Sequence, residues 1–348
     1  MTQQQESPAL VATGLVRRFG DKLAIDDVSI TVRTGTLTAI LGPSGCGKTT
    51  VLRIVAGLDQ PDAGVVTLSG TAVQAPGLHV PPERRGVGLV FQDNVLFPHL
   101  TIAENVGYGV PRSERKATTT RLLELVGLAD IAGQMPHEVS GGQQQRAALA
   151  RTLATDPRII LLDEPFSQLD AHLRERVRSD MVTAIKRTNT TALLVTHDQE
   201  EAFALADEVI VMSEGRIHQV GSPQEIYHHP ADRFVAEFVG DATLVAAIPV
   251  APGYVETRLG RLDISGQFPR SDEFAVVRPE SVVVRAADDA EPGALPARVV
   301  GLRFQGVNHI VDLELDDGMR VLAHVAGDVA LAIGDAVSFR VHGPVATV

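Results

Sequence analysis

The chain has 348 residues, 44% of them hydrophobic, with 31 glycines and 20 prolines, a composition that suits a soluble α/β protein long enough for two domains. A formal net charge of −12 argues against a general nucleic-acid binder, which needs a basic footprint, and one cysteine excludes a disulfide framework and suits a reducing cytoplasm. No run approaches the ~18 apolar residues of a membrane span, and residues 1–8 lack the basic-then-apolar layout of a signal peptide.

Along the chain, Val28, Ile30 and Val32 alternate with polar residues, as do Val65, Val66 and Leu68, which predicts a small antiparallel sheet near the N-terminus. Leu37-Thr38-Ala39-Ile40-Leu41 reads as a buried strand and residues 50–56 as the start of a helix. Between them stands Gly42-Pro43-Ser44-Gly45-Cys46-Gly47-Lys48-Thr49-Thr50, which fits G-x-x-x-x-G-K-[ST]. Glycines in that pattern let successive N–H groups point at phosphate oxygens, Lys reaches the terminal phosphates, and the Thr49 hydroxyl can ligate Mg²⁺. The helix that follows puts phosphate at a helix N-terminus. Cys46 reads as a small residue with an incidental thiol, with a redox role left open.

Val139-Ser140-Gly141-Gly142-Gln143-Gln144-Gln145-Arg146 places two glycines and a hydroxyl at the start of a second helix, another anion site. One nucleotide does not need two such sites, so this one is expected to serve the nucleotide of another subunit. Ile159-Ile160-Leu161-Leu162 is a fully apolar strand ending in Asp163-Glu164. Asp163 is placed to hold Mg²⁺ through water, and Glu164 to polarise an attacking water. Residues 171–187 carry helical spacing, Ala192-Leu193-Leu194-Val195 is another buried strand, and His197 follows it, either contacting phosphate or capping a helix over 198–206. After residue 240 the character changes: the last 108 residues hold 15 acids, nine Arg and no Lys, in short Val-rich runs separated by turns such as Asp316-Asp317-Gly318. These runs predict a small all-β barrel.

These motifs, in this order, resemble the ATP-binding cassette family, specifically the ATPase subunits of bacterial importers. Residues 42–49 resemble its Walker A, 159–164 its Walker B, and 139–143 its signature with Val139 in place of the usual Leu. The resemblance implies further roles: Gln92 as the glutamine loop touching Mg²⁺ and the membrane subunits, Ser167-Gln168-Leu169-Asp170 as the D-loop, His197 as the switch histidine at the γ-phosphate, and Phe19 as the aromatic stacked on adenine. It also implies a P-loop NTPase-type core over residues 1–240, with an antiparallel β subdomain and a helical subdomain at about 93–155. Residues 241–348 are then an OB-like, TOBE-type β-domain with a regulatory or dimerising role, on the strength of Val277-Arg278-Pro279-Glu280 and Phe304-Gln305-Gly306. The expected machine is a head-to-tail homodimer that takes ATP and Mg²⁺ at the cytoplasmic face of the membrane. It serves two transmembrane permease subunits and, indirectly, an extracytoplasmic solute-binding protein, with no nucleic-acid partner.

Pro81-Pro82-Glu83-Arg84-Arg85-Gly86 and the segment from Phe91-Gln92-Asp93 to Leu96-Phe97-Pro98-His99 look most like ferric-iron importer ATPases. Polyamine, sulfate/molybdate and sugar importers share much of this stretch. A non-transport cassette ATPase of DNA repair or translation is the rival reading. It is disfavoured by the single cassette and by the short separation, only about 90 residues, between Lys48 and Ser140. A third reading takes the β-domain as a ligand-binding module; its acidic balance disfavours nucleic acid and leaves a regulatory site open.

Overall fold

The computed structural model describes residues 7–92, 96–167, 169–265 and 273–348. Asp93 and Gln168, singled out above, lie outside them. The chain divides into two compact units, Met1–Pro223 and Gln224–Val348.

The first unit runs β1 (Leu10–Phe19), β2 (Lys22–Val32), β3 (Leu37–Leu41), α1 (Lys48–Ala56), β4 (Ala63–Leu68), β5 (Thr71–Ala75), β6 (Leu78–His79) and β7 (Val87–Val90). It continues through α2 (Ile102–Val106), α3 (Arg115–Leu125), α4 (Gly141–Leu153), β8 (Ile159–Asp163), α5 (Ala171–Arg187), β9 (Ala192–Thr196), α6 (Gln199–Leu205), β10 (Glu208–Ser213) and β11 (Arg216–Gly221). One five-stranded sheet has the order β2-β1-β4-β5-β6 and is antiparallel throughout, as the alternation in β2 and β4 predicts. A six-stranded sheet has the order β11-β10-β3-β9-β8-β7; it is parallel from β10 to β7, with β11 antiparallel at its edge.

The apolar runs of β3 and β9 are buried at every residue, because helices such as α1 and α6 pack against this sheet. Register brings Leu41, Thr196, Asp163 and Val90 to one edge of this sheet. The turns beyond β3, β7, β8 and β9 therefore leave from the carboxyl ends of parallel strands, where open α/β sheets bind ligands. Helix α1 ends at Gly57, φ 83. There the fully enclosed Arg85 donates to the carbonyls of Ile54 at 2.7 Å and Val55 at 3.0 Å, capping the helix C-terminus with a cation.

The second unit opens with two short helices, α7 (Pro223–His228) and α8 (Arg233–Phe238), which lie ahead of the expected boundary at 240. Ten strands follow among the described residues: β12 (Thr243–Ala251), β13 (Tyr254–Thr257), β14 (Gly260–Asp263), β15 (Glu273–Val277), β16 (Val282–Ala286), β17 (Leu295–Phe304), β18 (Asn308–Glu314), β19 (Arg320–Ala326), β20 (Ala336–Val341) and β21 (Ala346–Thr347). They form two five-stranded sheets, β14-β13-β12-β15-β21 and β16-β20-β17-β18-β19. The second curls until its edge strands β16 and β19 approach each other, which gives the barrel-like form. One core, including Val255, Val299, Leu313 and Phe339, is shared by both sheets. Arg278, almost enclosed, ties the helices to this β-domain through the carbonyls of Tyr227, Ala236, Gly240 and Asp241. Among the described residues no helix is long and apolar enough to cross a membrane.

Candidate functional site

The 42–47 turn is shaped by what its glycines allow. Gly45 and Gly47 have φ 78 and 111, a region that side chains resist, and Gly42 lies so close to the Met212 carbonyl of β10 that a Cβ would overlap it. Around Gly45 nothing stands within 4 Å of a Cβ position, so the tip of the loop is open. Lys48, 4% exposed, curls back and donates to the carbonyls of Gly42 at 2.8 Å and Pro43 at 2.9 Å. Helix α1 begins with no side-chain cap, which leaves its first N–H groups to a ligand. Burial pushes the Cys46 thiol above its ordinary value against the opposing pull of Lys48, so it stays a thiol at neutral pH.

Beside this loop, β8 delivers Asp163. Its Oδ1 accepts from the Thr49 hydroxyl at 3.1 Å. Burial raises the carboxyl above the usual aspartate range; the Thr49 bond works against that shift and the neighbouring Glu164 charge adds to it. Glu164 itself sits at φ 44, in the left-handed region that costs a side-chain residue of order 1–3 kcal/mol. Its N–H is held by the Val195 carbonyl at 3.0 Å, and its own carbonyl accepts from the Ser167 hydroxyl at 3.0 Å. Glu164 Oε2 lies 3.1 Å from His197 Nδ1. The helix cap that the sequence offered to His197 belongs to its neighbour, since Asp198 Oδ1 accepts from the Glu201 amide at 3.2 Å to start α6. Asp198 has the free carboxylate oxygen that an N-cap needs, whereas an imidazole is a poor acceptor there.

A cleft of about 300 Å³ opens over the loop. Phe19, Lys22, Ser44, Gly45, Gly47, Lys48, Thr49, Thr50 and Glu164 line it. Phe19 is 46% exposed at the end of β1, with the Arg17 guanidinium 4.6 Å from its ring centroid, so a flat cation covers one face. Asp163 and His197 join the cleft through their bonds to Thr49 and Glu164. Gln92 is exposed two residues beyond β7 and is not among the lining residues. Asp170 is exposed at the start of α5, where its carbonyl accepts the Arg174 amide at 3.0 Å. The Ser140–Gln143 segment is also elsewhere. Ser140 caps α4 in a reciprocal box, its own N–H bonding Gln143 Oε1 at 2.7 Å while its hydroxyl accepts the Gln143 amide at 3.4 Å. Ser140 and Gly141 are exposed and Gly142 is buried.

The donor set fits a hard divalent ion beside a polyphosphate. A hydroxyl and a carboxylate 3.1 Å apart are the oxygen ligands that Mg²⁺ takes, with phosphates and water completing the octahedron. Among the described residues no three His, Cys, Asp or Glu converge as a self-sufficient metal site. The residues that sequence reasoning passed over are Lys22 in the cleft wall, Arg17 on Phe19, and Gln145, whose Nε2 donates to the Pro165 carbonyl just past Glu164. Gln145 lies in the 139–146 run without a role of its own there, and the other two stand in no motif. Only packing reveals them.

Comparison with known proteins accords with this geometry. The ABC transporter family matches residues 25–167, and the TOBE domain family matches residues 275–348. A sulfate/thiosulfate import ATP-binding protein of Chromobacterium violaceum is 45% identical over 307 residues, covering 86% of this chain and 82% of the relative. An Fe(3+) ions import ATP-binding protein of Rhodococcus jostii is 42% identical over 342 residues, covering 96% of this chain and 97% of its own length. A sulfate/thiosulfate import ATP-binding protein of Mycobacterium tuberculosis is 46% identical over 307 residues, 85% of this chain and 81% of the relative. With a phosphate loop, an acidic strand end and a TOBE-type β-domain in one chain, and relatives this similar over most of its length, the protein belongs to the ABC transporter family as an ATP-binding, ATP-hydrolysing import subunit.

Proposed function

We propose that this chain acts as a head-to-tail homodimer beneath two transmembrane permease subunits, at the cytoplasmic face of the membrane, and hydrolyses ATP to import ferric iron delivered by an extracytoplasmic solute-binding protein. The observation that carries the hydrolytic reading is Glu164. Its strained turn sets a carboxylate against His197 and over a cleft that also holds Lys48 and Thr49. In this reading Phe19 stacks on the adenine, and the N–H groups of residues 44–50 with Lys48 bind the phosphates. Glu164 accepts the proton of the attacking water, and His197 orients Glu164 and the terminal phosphoryl group. Thr49 and Asp163, with Gln92, would hold Mg²⁺, which neutralises charge on the phosphoryl oxygens. Ser140, Gly141, Gly142 and Gln143 serve the nucleotide of the partner subunit, with Asp170 at the same interface. A two-fold dimer supplies both halves twice.

The first domain, residues 1–240 in the sequence reading, does this chemistry, and the β-domain regulates or dimerises. Iron is favoured by the Rhodococcus relative, whose similarity runs through the β-domain to cover 96% of this chain. Sulfate/thiosulfate is the second reading, favoured by the higher identity of 45% over a shorter span. Uptake of labelled iron and labelled sulfate, by cells carrying the wild-type chain or Lys48→Ala, separates the two. The proposal expects iron uptake alone to depend on Lys48. Sulfate uptake that depends on Lys48, with iron uptake that does not, would replace the cargo.

A further inference from the structure

Helix α4 exposes Ser140 and Gly141 at its N-terminus and then turns a polar side chain inward. Gln145 is fully buried, and its Nε2 donates to the carbonyl of Pro165, the residue after Glu164. Its Oε1 has no hydrogen-bond partner among the described residues. A buried amide with one unpaired oxygen is costly where Leu or Met fills similar space at no such penalty. The bond it does make falls on the turn that most needs holding, because Glu164 is in the left-handed region at φ 44.

The other end of that turn returns to the same helix. A Leu169 methyl lies 3.8 Å from where a Cβ of Gly141 would stand. The Leu169 carbonyl accepts from Arg174 Nη2 at 2.9 Å, and Arg174 Nη1 lies 3.8 Å from Asp198, next to His197. His197 in turn meets Glu164 at 3.1 Å. Packing, polar contacts and the chain itself thus close a ring from the N-terminus of α4, through Leu169, Arg174, Asp198, His197 and Glu164, to Pro165 and back to α4 at Gln145. Of these links, Gln145 joins α4 most directly to the carboxylate.

We propose that Gln145 is a positioning residue for Glu164, tying the carboxylate turn to the helix that carries the Ser140–Gln143 segment. The inference rests on the reading of Glu164 as the carboxylate that accepts a proton from water. A shift of the α4 N-terminus on the partner's nucleotide is then passed to the Glu164 of its own chain through a single side-chain bond. Hydrolysis at one site becomes sensitive to occupancy of the other.

Gln145→Met tests this in the full-length dimer. The thioether conserves length and volume and removes the donor. The expected result is an unchanged or higher melting temperature and an unchanged affinity for fluorescent ATP. The turnover number should fall by about tenfold or more, because small displacements of a reacting group cost one to two orders of magnitude, and the Hill coefficient for ATP should move toward one. A residue that only fills space would move the melt and the affinity instead. A loss of turnover below about fivefold overturns the inference, being too small for a displaced general base. Gln145→Leu carries the same test should Met not pack, and failure of both variants to melt cooperatively or to bind ATP also overturns it, since Gln145 would then be core. Glu164→Gln is measured alongside. If that variant still turns over, the reading of Glu164 fails; if it is inactive while Gln145→Met is normal, only the role of Gln145 fails.

Discussion

Replacing Arg278 with Met is expected to loosen the second unit without touching the nucleotide cleft. The residue is 8% exposed. Its Nη1 lies 3.0, 3.0 and 3.2 Å from the carbonyls of Ala236, Gly240 and Asp241, and its Nη2 lies 3.1 Å from that of Tyr227. Nη1 has two hydrogens for three acceptors, so three full bonds are the most this geometry supports. At about 1 kcal/mol net for each bond, with 0.5–1 kcal/mol for the cation stacked 4.2 Å over the Tyr227 ring, the loss is about 3–4 kcal/mol. A net value is the right one, because burial lowers the pKa of Arg278 and so already charges a desolvation cost against it. For a unit of this size, each kcal/mol moves the midpoint by about 4 °C, so the β-domain transition should fall by roughly 12–16 °C. Differential scanning calorimetry of the full chain reads this directly. The same unit carries a pH signature. The Tyr227 phenol, which donates to Glu280 at 2.7 Å, is pushed up to about 12 by burial first and that bond second. The folded state therefore holds its proton where the unfolded chain, titrating near 10, has lost it, and stability should decline as pH rises from about 10 to about 12. A drop in midpoint below about 4 °C for Arg278→Met would refute the account, since it would mean that the carbonyls find other partners at little cost.

Other expectations concern the nucleotide site and the domain boundary. Ser140→Arg should stop hydrolysis, yet mixing it with Lys48→Ala protein should restore part of it, because one site of the heterodimer then carries both lesions and the other neither; phosphate release with proof of heterodimers decides it. Because burial holds the Asp163 carboxyl above its ordinary range, it takes up a proton at higher pH than a free aspartate. Mg²⁺-dependent ATP affinity should therefore weaken on acidification sooner than a free aspartate predicts, and a titration that follows the ordinary value near 3.9 would contradict this. A fragment ending at residue 223 should bind fluorescent ATP with a cooperative melt. One ending at 240 should be less soluble, because it keeps the buried Val235 and Ala236 of α8 while losing Val276, Ala346 and Arg278. Equal solubility of the two would place α8 with the first unit.

The parts of the fold that could be read in advance are those where local chemistry decides the outcome. β3, β8 and β9 are short apolar runs, and a run buried on both faces has no other stable place. The alternation in β2 and β4 and the glycine pattern of 42–47 are similarly self-sufficient. The strands β12 to β14 escaped notice because Pro249 and Gly253 interrupt them and because Ile248 and Val250 face outward, blurring the alternation. Helices α7 and α8, six residues each, are too short to show a period, and their partners lie near residue 278. Arg85 stands beside Arg84 in a stretch whose sequence gives no sign of burial, yet it is 1% exposed against the carbonyls that end α1. Gln143, Gln144 and Gln145 are identical letters in sequence. Their different uses, in the cap, on the Pro136 carbonyl and on the Pro165 carbonyl, come only from helical phase and from what each side faces.

The central claim is that Glu164 is the proton acceptor of an ATP-driven dimer. Glu164→Gln keeps the shape of the side chain and removes its basicity. The most direct measurement pairs phosphate release with size-exclusion elution in the presence of Mg²⁺-ATP. The account predicts turnover reduced by about 10²–10⁴-fold, ATP binding intact, and a stable ATP-dependent dimer. Near-normal phosphate release by this variant, or an elution volume that ATP does not change, would contradict it.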